Sequence, residues 1–279
     1  MPKLHVITLN WNGKHLLQNL LPSLNSALTN TNNKLKTTAT LWVRDNGSTD
    51  DSVDYLEDYA KNSGLNINVL KVGHNRDSFA AGVNSLVKES KAHIDDFFLL
   101  LNNDVNISDS SSLTYMLSLF HNFNIGMVGC RLLFPDSQKL QHAGVTFSPG
   151  HGGMPYHYRP GATSDDQAKR NRYFQAVTAA CCFVRASTWQ GVGGLDEGYR
   201  WAFEDIDLCL KVGQSKEKVA YCGKTLIYHG ESVSLKKNPV NKIFLNDNVK
   251  LFKSKWQGKI SFDNELYLKD QNYNVIKDA

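Results

Sequence analysis

An α/β domain built round a largely parallel sheet is the fold class this sequence predicts, and three observations carry it. Between Leu4 and Leu101, short apolar runs alternate with stretches whose apolar residues recur at helical spacing. The run Phe97–Leu101 is apolar without a break, which suits a strand covered on both faces. Polarity then reverses at Asn102, Asn103 and Asp104, as at the carboxyl end of a strand, where open α/β sheets gather their ligands.

Taken in order, Leu4–Leu9 reads as the first strand. Lys14–Ala27 follows as a helix, with Leu16, Leu17, Leu20, Leu21 and Leu24 at helical spacing and Pro22 expected to kink or shorten it. Thr40–Arg44 is a second strand ending at Asp45, and Asp50–Asn62 a helix with Val53, Leu56 and Tyr59 or Ala60 facing inward. Ile67–Val72 is a third strand, Phe79–Ser90 a helix and Phe97–Leu101 a fourth strand. Such alternation implies right-handed crossovers. The rhythm then changes. Gly126–Phe134 and Val177–Arg185 read as strands, Phe203–Val212 as a helix, Val219–Tyr221 and Thr225–Tyr228 as two short strands, and Val240–Trp256 as a terminal helix. His142–Arg172, rich in Gly, His, Tyr, Arg and Pro, shows no periodicity, as in a functional cover or a disordered insertion.

Composition narrows the class. A hydrophobic content of 41% with 21% charged residues is ordinary for a globular chain. No apolar run approaches the ~20 residues of a membrane-crossing helix, and no signal-peptide region precedes the first strand, so the expected location is the cytoplasm. The five cysteines include no CxxC pair, which favours buried thiols over disulfides or zinc. From Lys236 onward nine Lys face five Asp or Glu, so this tail carries the whole net charge of +4. Its lysines suit peripheral contact with the inner face of an anionic membrane, an acidic polymer, or a merely solvated helical face. No nucleic-acid partner is expected.

Five segments carry chemistry. Asp104, at a strand end, can hold a hard divalent cation against a diphosphate, and His229, which LIYHGES places at another strand end, can complete the cation site. Asp45 projects from a strand end where a nucleotide base or ribose binds, while Ser48, Thr49 or Asp50 caps the next helix. The small residues of FAAGVN allow a helix start to approach a ligand or the sheet, and Asn75 and Asn84 add polar groups nearby. Glu204, Asp205 and Asp207 open a helix, where acids also serve the macrodipole. A catalytic base needs a carboxylate in a partly dry pocket, and Asp205 is the candidate.

In order, ITLNWN (Ile7–Asn12), DNGSTD (Asp45–Asp50), FAAGVN (Phe79–Asn84), LLNNDV (Leu100–Val105), VTAACCFVR (Val177–Arg185), GGLDE (Gly193–Glu197), FEDIDLCLK (Phe203–Lys211) and YHGESVS (Tyr228–Ser234) resemble the motifs of glycosyltransferase family 2, especially its rhamnosyltransferase-like members. The resemblance implies a GT-A fold over residues 1–235, with a nucleotide-sugar half over 1–105, an acceptor half over 106–235, and a basic C-terminal extension over 236–279. It implies a nucleotide-diphosphate-sugar donor (dTDP-rhamnose or a UDP-hexose), Mn²⁺ or Mg²⁺, and inverting transfer to a glycan or lipid-linked glycan in surface polysaccharide synthesis. Thr8, Asn10 and Asp45 would hold the nucleotide, with Asn75, Asn84 and Asn103 completing the donor site. Asp104 and His229 would bind the metal. Asp205 would take the acceptor proton while Glu204 orients that hydroxyl or the donor sugar. Tyr156, Tyr158 and Trp201 offer faces for acceptor stacking, and Arg159, Arg170 and Arg172 offer charges to an acceptor phosphate. Three motifs depart from the family's pattern: Asn102 takes the first acidic position before Asp104, His74-Asn75-Arg76-Asp77-Ser78 replaces the shorter Asn-x-Gly that usually precedes the Phe and leaves the donor-sugar contacts open, and Asn246-Asp247-Asn248 stands where many relatives carry Arg-Asn, so no role is carried over there.

Two other readings compete at this point. A sugar-phosphate nucleotidyltransferase would want a Gly-rich basic loop after the first strand, where this chain has NWNGKHLL. A catalytically silent nucleotide- or glycan-binding module would share the fold without turnover.

Overall fold

A computed structural model describes residues 1–200, 202–230 and 241–276. Three parallel crossovers build the amino-terminal half: β1 (Lys3–Asn10), α1 (Lys14–Leu35), β2 (Thr38–Asp45), α2 (Ser52–Ser63), β3 (Asn66–Lys71), α3 (Phe79–Ser90) and β4 (Phe97–Leu101). The other half comprises β5 (Val105–Ile107), α4 (Ser112–Ser118), β6 (Ile125–Leu133), β7 (Leu140–His142), β8 (Val145–Phe147), β9 (Pro155–His157), β10 (Arg172–Phe174), β11 (Cys181–Arg185), α5 (Ala186–Val192), α6 (Glu204–Gln214), β12 (Lys218–His229), α7 (Asn241–Trp256) and α8 (Asn264–Lys269).

The main sheet runs β10-β12-β6-β11-β4-β1-β2-β3. The strands from β4 to β3 are mutually parallel, β11 lies antiparallel between β4 and β6, and β12 pairs parallel with β6. The chain winds outward in opposite directions from β1 and β4, which leaves a crevice beyond their carboxyl ends. Alternate residues of β4 enter two separate cores, Phe98 and Leu100 one, Leu99 and Leu101 the other, as the period of two requires. Against one face of the sheet, α3 packs so closely that a Cβ on Gly82 would lie 2.8 Å from the Leu9 side chain. The small residues of FAAGVN therefore serve helix–sheet packing.

Several elements differ from their sequence pattern for identifiable reasons. Helix α1 runs through Pro22 to Leu35. Pro22 faces solvent, where water can take the carbonyl its ring frees, while the buried stripe Leu17, Leu20, Leu21, Leu24, Ala27 and Leu28 continues past it. The two short strands expected before His229 are one strand, β12, with a register shift between Cys222 and Ile227. The range from 142 to 172 is more regular than its composition: β8 and β9 pair as a hairpin, with Thr146 opposite Tyr156. Strands of three residues are too short for periodicity to reveal. All five cysteines are buried and free, and burial pushes the Cys130 and Cys182 thiols up, holding them protonated and unreactive. Among the described residues, no helix is long and apolar enough to cross a membrane.

The tail set apart by its charge is packed into the body. Phe252, Trp256 and Tyr267 belong to the core that contains β4's Phe98. The fully buried Asp207 of α6 accepts from Trp256 Nε1 at 2.8 Å and Tyr199 Oη at 3.3 Å, and Lys255 Nζ lies 2.5 Å from the same oxygen. Lys255 also meets Asp196 at 2.8 Å, so one cation ties two acids of the carboxyl-terminal half to α7. Removing one partner of such a buried pair leaves the other uncompensated. Asp207→Ala is expected to lower the unfolding free energy by about 3–5 kcal/mol. A denaturant midpoint equal to that of the unaltered chain would show that this carboxylate does not hold α7.

Candidate active site

The crevice beyond β1 and β4 is lined by polar side chains that the parallel register brings level. Asn10 stands opposite Asp45 across β1 and β2. Asn10 Nδ2 donates to Asp45 Oδ2 at 3.0 Å, and Asn103 Nδ2 donates to Asn10 Oδ1 at 3.0 Å across the crevice. Ser48 closes the turn, its N–H reaching Asp45 Oδ1 at 2.8 Å and its hydroxyl Oδ2 at 2.6 Å. Gly13 leaves room for this chain: a Cβ there would lie 2.4 Å from Asn10 Oδ1 and 2.7 Å from Asn103 Nδ2. The buried Asp45 carboxylate thus accepts three hydrogen bonds and shapes the turn that a nucleotide would meet. Thr8, one strand repeat behind Asn10, is buried with an unpartnered hydroxyl. Asn75 sits at the rim, accepting from Asn46 at 3.3 Å.

Asn84 does not join this group. Its amide donates to Leu195 O at 2.9 Å and Glu197 Oε1 at 2.8 Å and accepts from Leu195 N at 3.2 Å, clasping α3 to the GGLDE turn. With those contacts made, it serves packing rather than a donor.

Asp104 and His229 meet because β5 and β12 pair antiparallel, with His229 opposite Val105. His229 Nε2 lies 3.1 Å from Asp104 Oδ1, and both side chains are 13% exposed, open to a ligand on one side. Asn102 Nδ2 lies 3.2 Å from the same ring nitrogen. One carboxylate oxygen and one imidazole nitrogen facing the crevice form a donor set that a borderline cation such as Mn²⁺ accepts. Among the described residues, no third His, Cys, Asp or Glu joins them. The set fits a metal that takes its other ligands from water and a substrate's phosphates.

Helix α6 opens on the two acids Glu204 and Asp205. It follows two non-glycine residues with left-handed backbone, Ala202 (φ 66°) and Phe203 (φ 72°). Such a conformation persists only where the surroundings hold it. Here Asn248 of α7 accepts from Arg200 N at 3.2 Å and donates to Ala202 O at 3.4 Å, and Phe252 packs its ring 5.3 Å from that of Phe203. Asp205 Oδ2 accepts from Ala179 N at 3.1 Å, and the next carbonyl, Ala180 O, accepts from Asn102 N at 2.9 Å. Two consecutive residues, Ala179 and Ala180, thus hold Asp205 and Asn102 respectively.

The acceptor residues proposed from sequence are divided. Tyr156 is half-buried and stacked on His151, ring centroids 3.9 Å apart, with its hydroxyl oxygen buried and unpartnered. Arg172 is a correction. It is buried at the far edge of the sheet and donates to Tyr273 O at 3.0 Å and Gln271 O at 2.6 Å, so its charge pins the chain's C-terminal segment and meets no acceptor. Arg170 and Arg159 are likewise engaged, with Asn272 and Asp165. Tyr158 is buried against Tyr267. Trp201 lies outside the described residues.

Three residues near the site escape a sequence reading. Trp11 is 47% exposed beside Asn10, and a large apolar ring left open at a strand end is the signal that would have found it. Gln141 bonds His229 and no local signal marks it, while Asn248, in the segment that stands where relatives carry Arg-Asn and to which no role is carried over, steadies the approach to α6.

Glu204 Oε2 is sealed from solvent without a partner, and burial, followed by the neighbouring Asp205 charge, pushes its carboxyl up to about 8. A folded-state value above the unfolded one means the native chain keeps a proton that the unfolded chain releases, so stability falls as pH rises between the two values. Glu204→Gln is expected to be more stable than the unaltered chain at pH 8, with the difference vanishing towards pH 4. Thermal unfolding across this range checks it, and a pH-independent difference would rule out the buried proton.

Comparison with known proteins places these features. The family model Glycosyl transferase family 2 matches residues 5–187. An uncharacterized protein y4gI of Sinorhizobium fredii is 32% identical over 227 residues, covering 78% of this chain and 24% of that protein. The O-antigen biosynthesis protein RfbC of Myxococcus xanthus is 32% identical over 143 residues, covering 50% of this chain and 11% of that protein. The rhamnosyltransferase WbbL of Escherichia coli K12 is 27% identical over 184 residues, covering 64% and 68%. The chain therefore spans about a quarter of the first relative and about a tenth of the second. The mannosyltransferase PcManGT of Pyrobaculum calidifontis, solved with GDP-Man and Mn²⁺, superposes with a TM-score of 0.55 at 13% identity, covering 78% of this chain and 54% of that one. GalNAc-T7, solved with UDP, GalNAc and Mn²⁺, gives 0.63 at 12%, covering 82% and 44%. These likenesses establish a GT-A fold, and the family match over more than half of the sequence shows that the chain belongs to glycosyl transferase family 2.

Proposed function

We propose that this chain transfers a sugar from a nucleotide-diphosphate sugar, dTDP-rhamnose or a UDP-hexose, to a glycan or lipid-linked glycan with inversion at the anomeric carbon. The observation that carries this reading is the 3.1 Å approach of His229 to Asp104 at the end of β4, with Asp205 bonded to Ala179 N–H beside the Ala180 carbonyl that holds Asn102. The names of the O-antigen and rhamnosyltransferase relatives support an acceptor in surface polysaccharide synthesis. The exposed Lys250, Lys253 and Lys259 of the tail support seating on an anionic membrane surface.

The turn built on Asn10, Asp45 and Ser48 receives the nucleotide, with the open ring of Trp11 beside it. Asp104 and His229 would hold Mn²⁺ or Mg²⁺, which supplies Lewis-acid neutralisation of the diphosphate. On the other side, Asp205 takes the proton of the acceptor hydroxyl as its oxygen attacks the anomeric carbon, and the bond to the diphosphate breaks with its electron pair. Ala179 N–H fixes the direction of that carboxylate. Glu204, kept neutral beside it, donates a hydrogen bond to a sugar hydroxyl without adding a second anion.

Asp205→Asn is expected to reduce turnover about 10²–10⁴-fold while leaving nucleotide affinity unchanged. Loss of nucleotide binding would contradict the base assignment. Asp104→Ala is expected to weaken UDP or dTDP binding in Mn²⁺ and to leave metal-free binding as it was. Titration calorimetry with and without EDTA separates the two, and equal Mn²⁺-dependent binding in variant and unaltered chain would remove Asp104 from the site.

A further inference from the structure

We infer that Gln141 is a positioning residue that fixes the ring of His229 and the nitrogen it presents to a cation, an inference that rests on the proposed metal role of Asp104 and His229. Gln141 is the middle residue of β7 and is buried. Both ends of its amide address one residue: Oε1 lies 2.7 Å from His229 Nδ1, and Nε2 donates to His229 O at 3.1 Å. The second contact settles the first. A carbonyl oxygen can only accept, so the nitrogen end of the amide must face His229 O. The oxygen end then faces the ring, and because that oxygen carries no hydrogen, Nδ1 must supply it. Turning the amide over would set oxygen against oxygen at His229 O and keep only the ring contact, with Nδ1 then accepting, so the orientation that makes both bonds is the one with Nδ1 protonated.

With Nδ1 protonated, a neutral His229 carries its lone pair on Nε2, the atom 3.1 Å from Asp104 Oδ1. Asn102 Nδ2, 3.2 Å away, can donate to that lone pair, but the lone pair and the carboxylate oxygen still repel each other, and a cation between them relieves the repulsion. The opposite tautomer would direct Nε2–H at Asp104 and occupy both metal donors with one hydrogen bond. Gln141 therefore decides whether these two residues meet a cation as ligands or satisfy each other. Strand β7 is itself firmly held, because Leu140 N–H bonds Ala162 O at 2.9 Å and the Leu140 carbonyl accepts from Gly161 N at 2.7 Å. The outer partner of a metal-binding histidine typically contributes 10- to 100-fold in metal affinity.

Ring-nitrogen NMR of the metal-free chain at about pH 8, where histidine is mostly neutral, reads the tautomer directly. The His229 signal is identified by its loss in His229→Ala. The unaltered chain is expected to show the Nδ1–H form and Gln141→Met the Nε2–H form, with Mn²⁺ affinity in the absence of donor sugar falling about 10- to 100-fold. Adding Gln141→Met to His229→Ala is expected to cause no further loss of Mn²⁺ affinity, because the glutamine acts through the ring. Gln141→Glu retains an acceptor for Nδ1–H and is expected to keep the Nδ1–H form, which provides a second variant if the methionine chain does not fold. An Nε2–H form in the unaltered chain or in Gln141→Glu, or an unchanged Mn²⁺ affinity in Gln141→Met, overturns the inference. Failure of the unaltered chain to bind Mn²⁺ despite the Nδ1–H form would instead overturn the cation site on which it rests.

Discussion

Everything in this molecule is arranged round the burial of β4. Its residues feed two cores on opposite faces of the sheet, and each leucine so buried contributes about 1.5–3 kcal/mol. Because the side-chain period is two, a register slip of one residue would exchange the two faces. The strand is also the seam between the halves, parallel to β1 on one side and antiparallel to β11 on the other. Once both pairings are satisfied, the polar residues that follow have one place to go. Asn103 reaches Asn10, Asn102 is held by Ala180 and lies beside His229, and Asp104 faces the imidazole.

The second support comes from the chain's far end. Charge alone sets the tail apart as a basic appendage, yet α7 contributes an amide, an indole and an ammonium to the body of the carboxyl-terminal half. Asn248 steadies the left-handed turn before Glu204, while Trp256 and Lys255 surround Asp207 one helical step beyond Asp205. Tyr199 and α7's Trp256 and Lys255 hold the buried carboxylate, while Asn248 of the same helix bonds the strained turn. Charge is a property of the exposed faces of such a helix and says little about its buried face, where Phe252 and Trp256 lie.

The two acids of the ED segment occupy different environments despite being adjacent. Asp205 is oriented by backbone N–H groups, whereas one oxygen of Glu204 faces no donor and no water. One site can thereby hold a proton acceptor next to a neutral hydrogen-bond donor, a division of labour that two equivalent carboxylates could not sustain.

By itself the sequence determined what depends on near neighbours. The limits of α3 and β4, the alternation up to Leu101, the buried thiols and the polar strand ends follow from spacing within a few turns or pleats. The family's motifs could be read because each is a short contiguous string. Tertiary structure decided what depends on pairing between distant segments. It brought His229 beside Asp104, gave Gln141 to His229, committed Asn84 to the GGLDE turn and used Arg172 to hold the C-terminal segment. An asparagine or arginine has the same donors wherever it stands, and its role is set by the acceptor that folding places within about 3 Å of it. That acceptor is commonly a backbone carbonyl, which every residue carries and no sequence pattern marks.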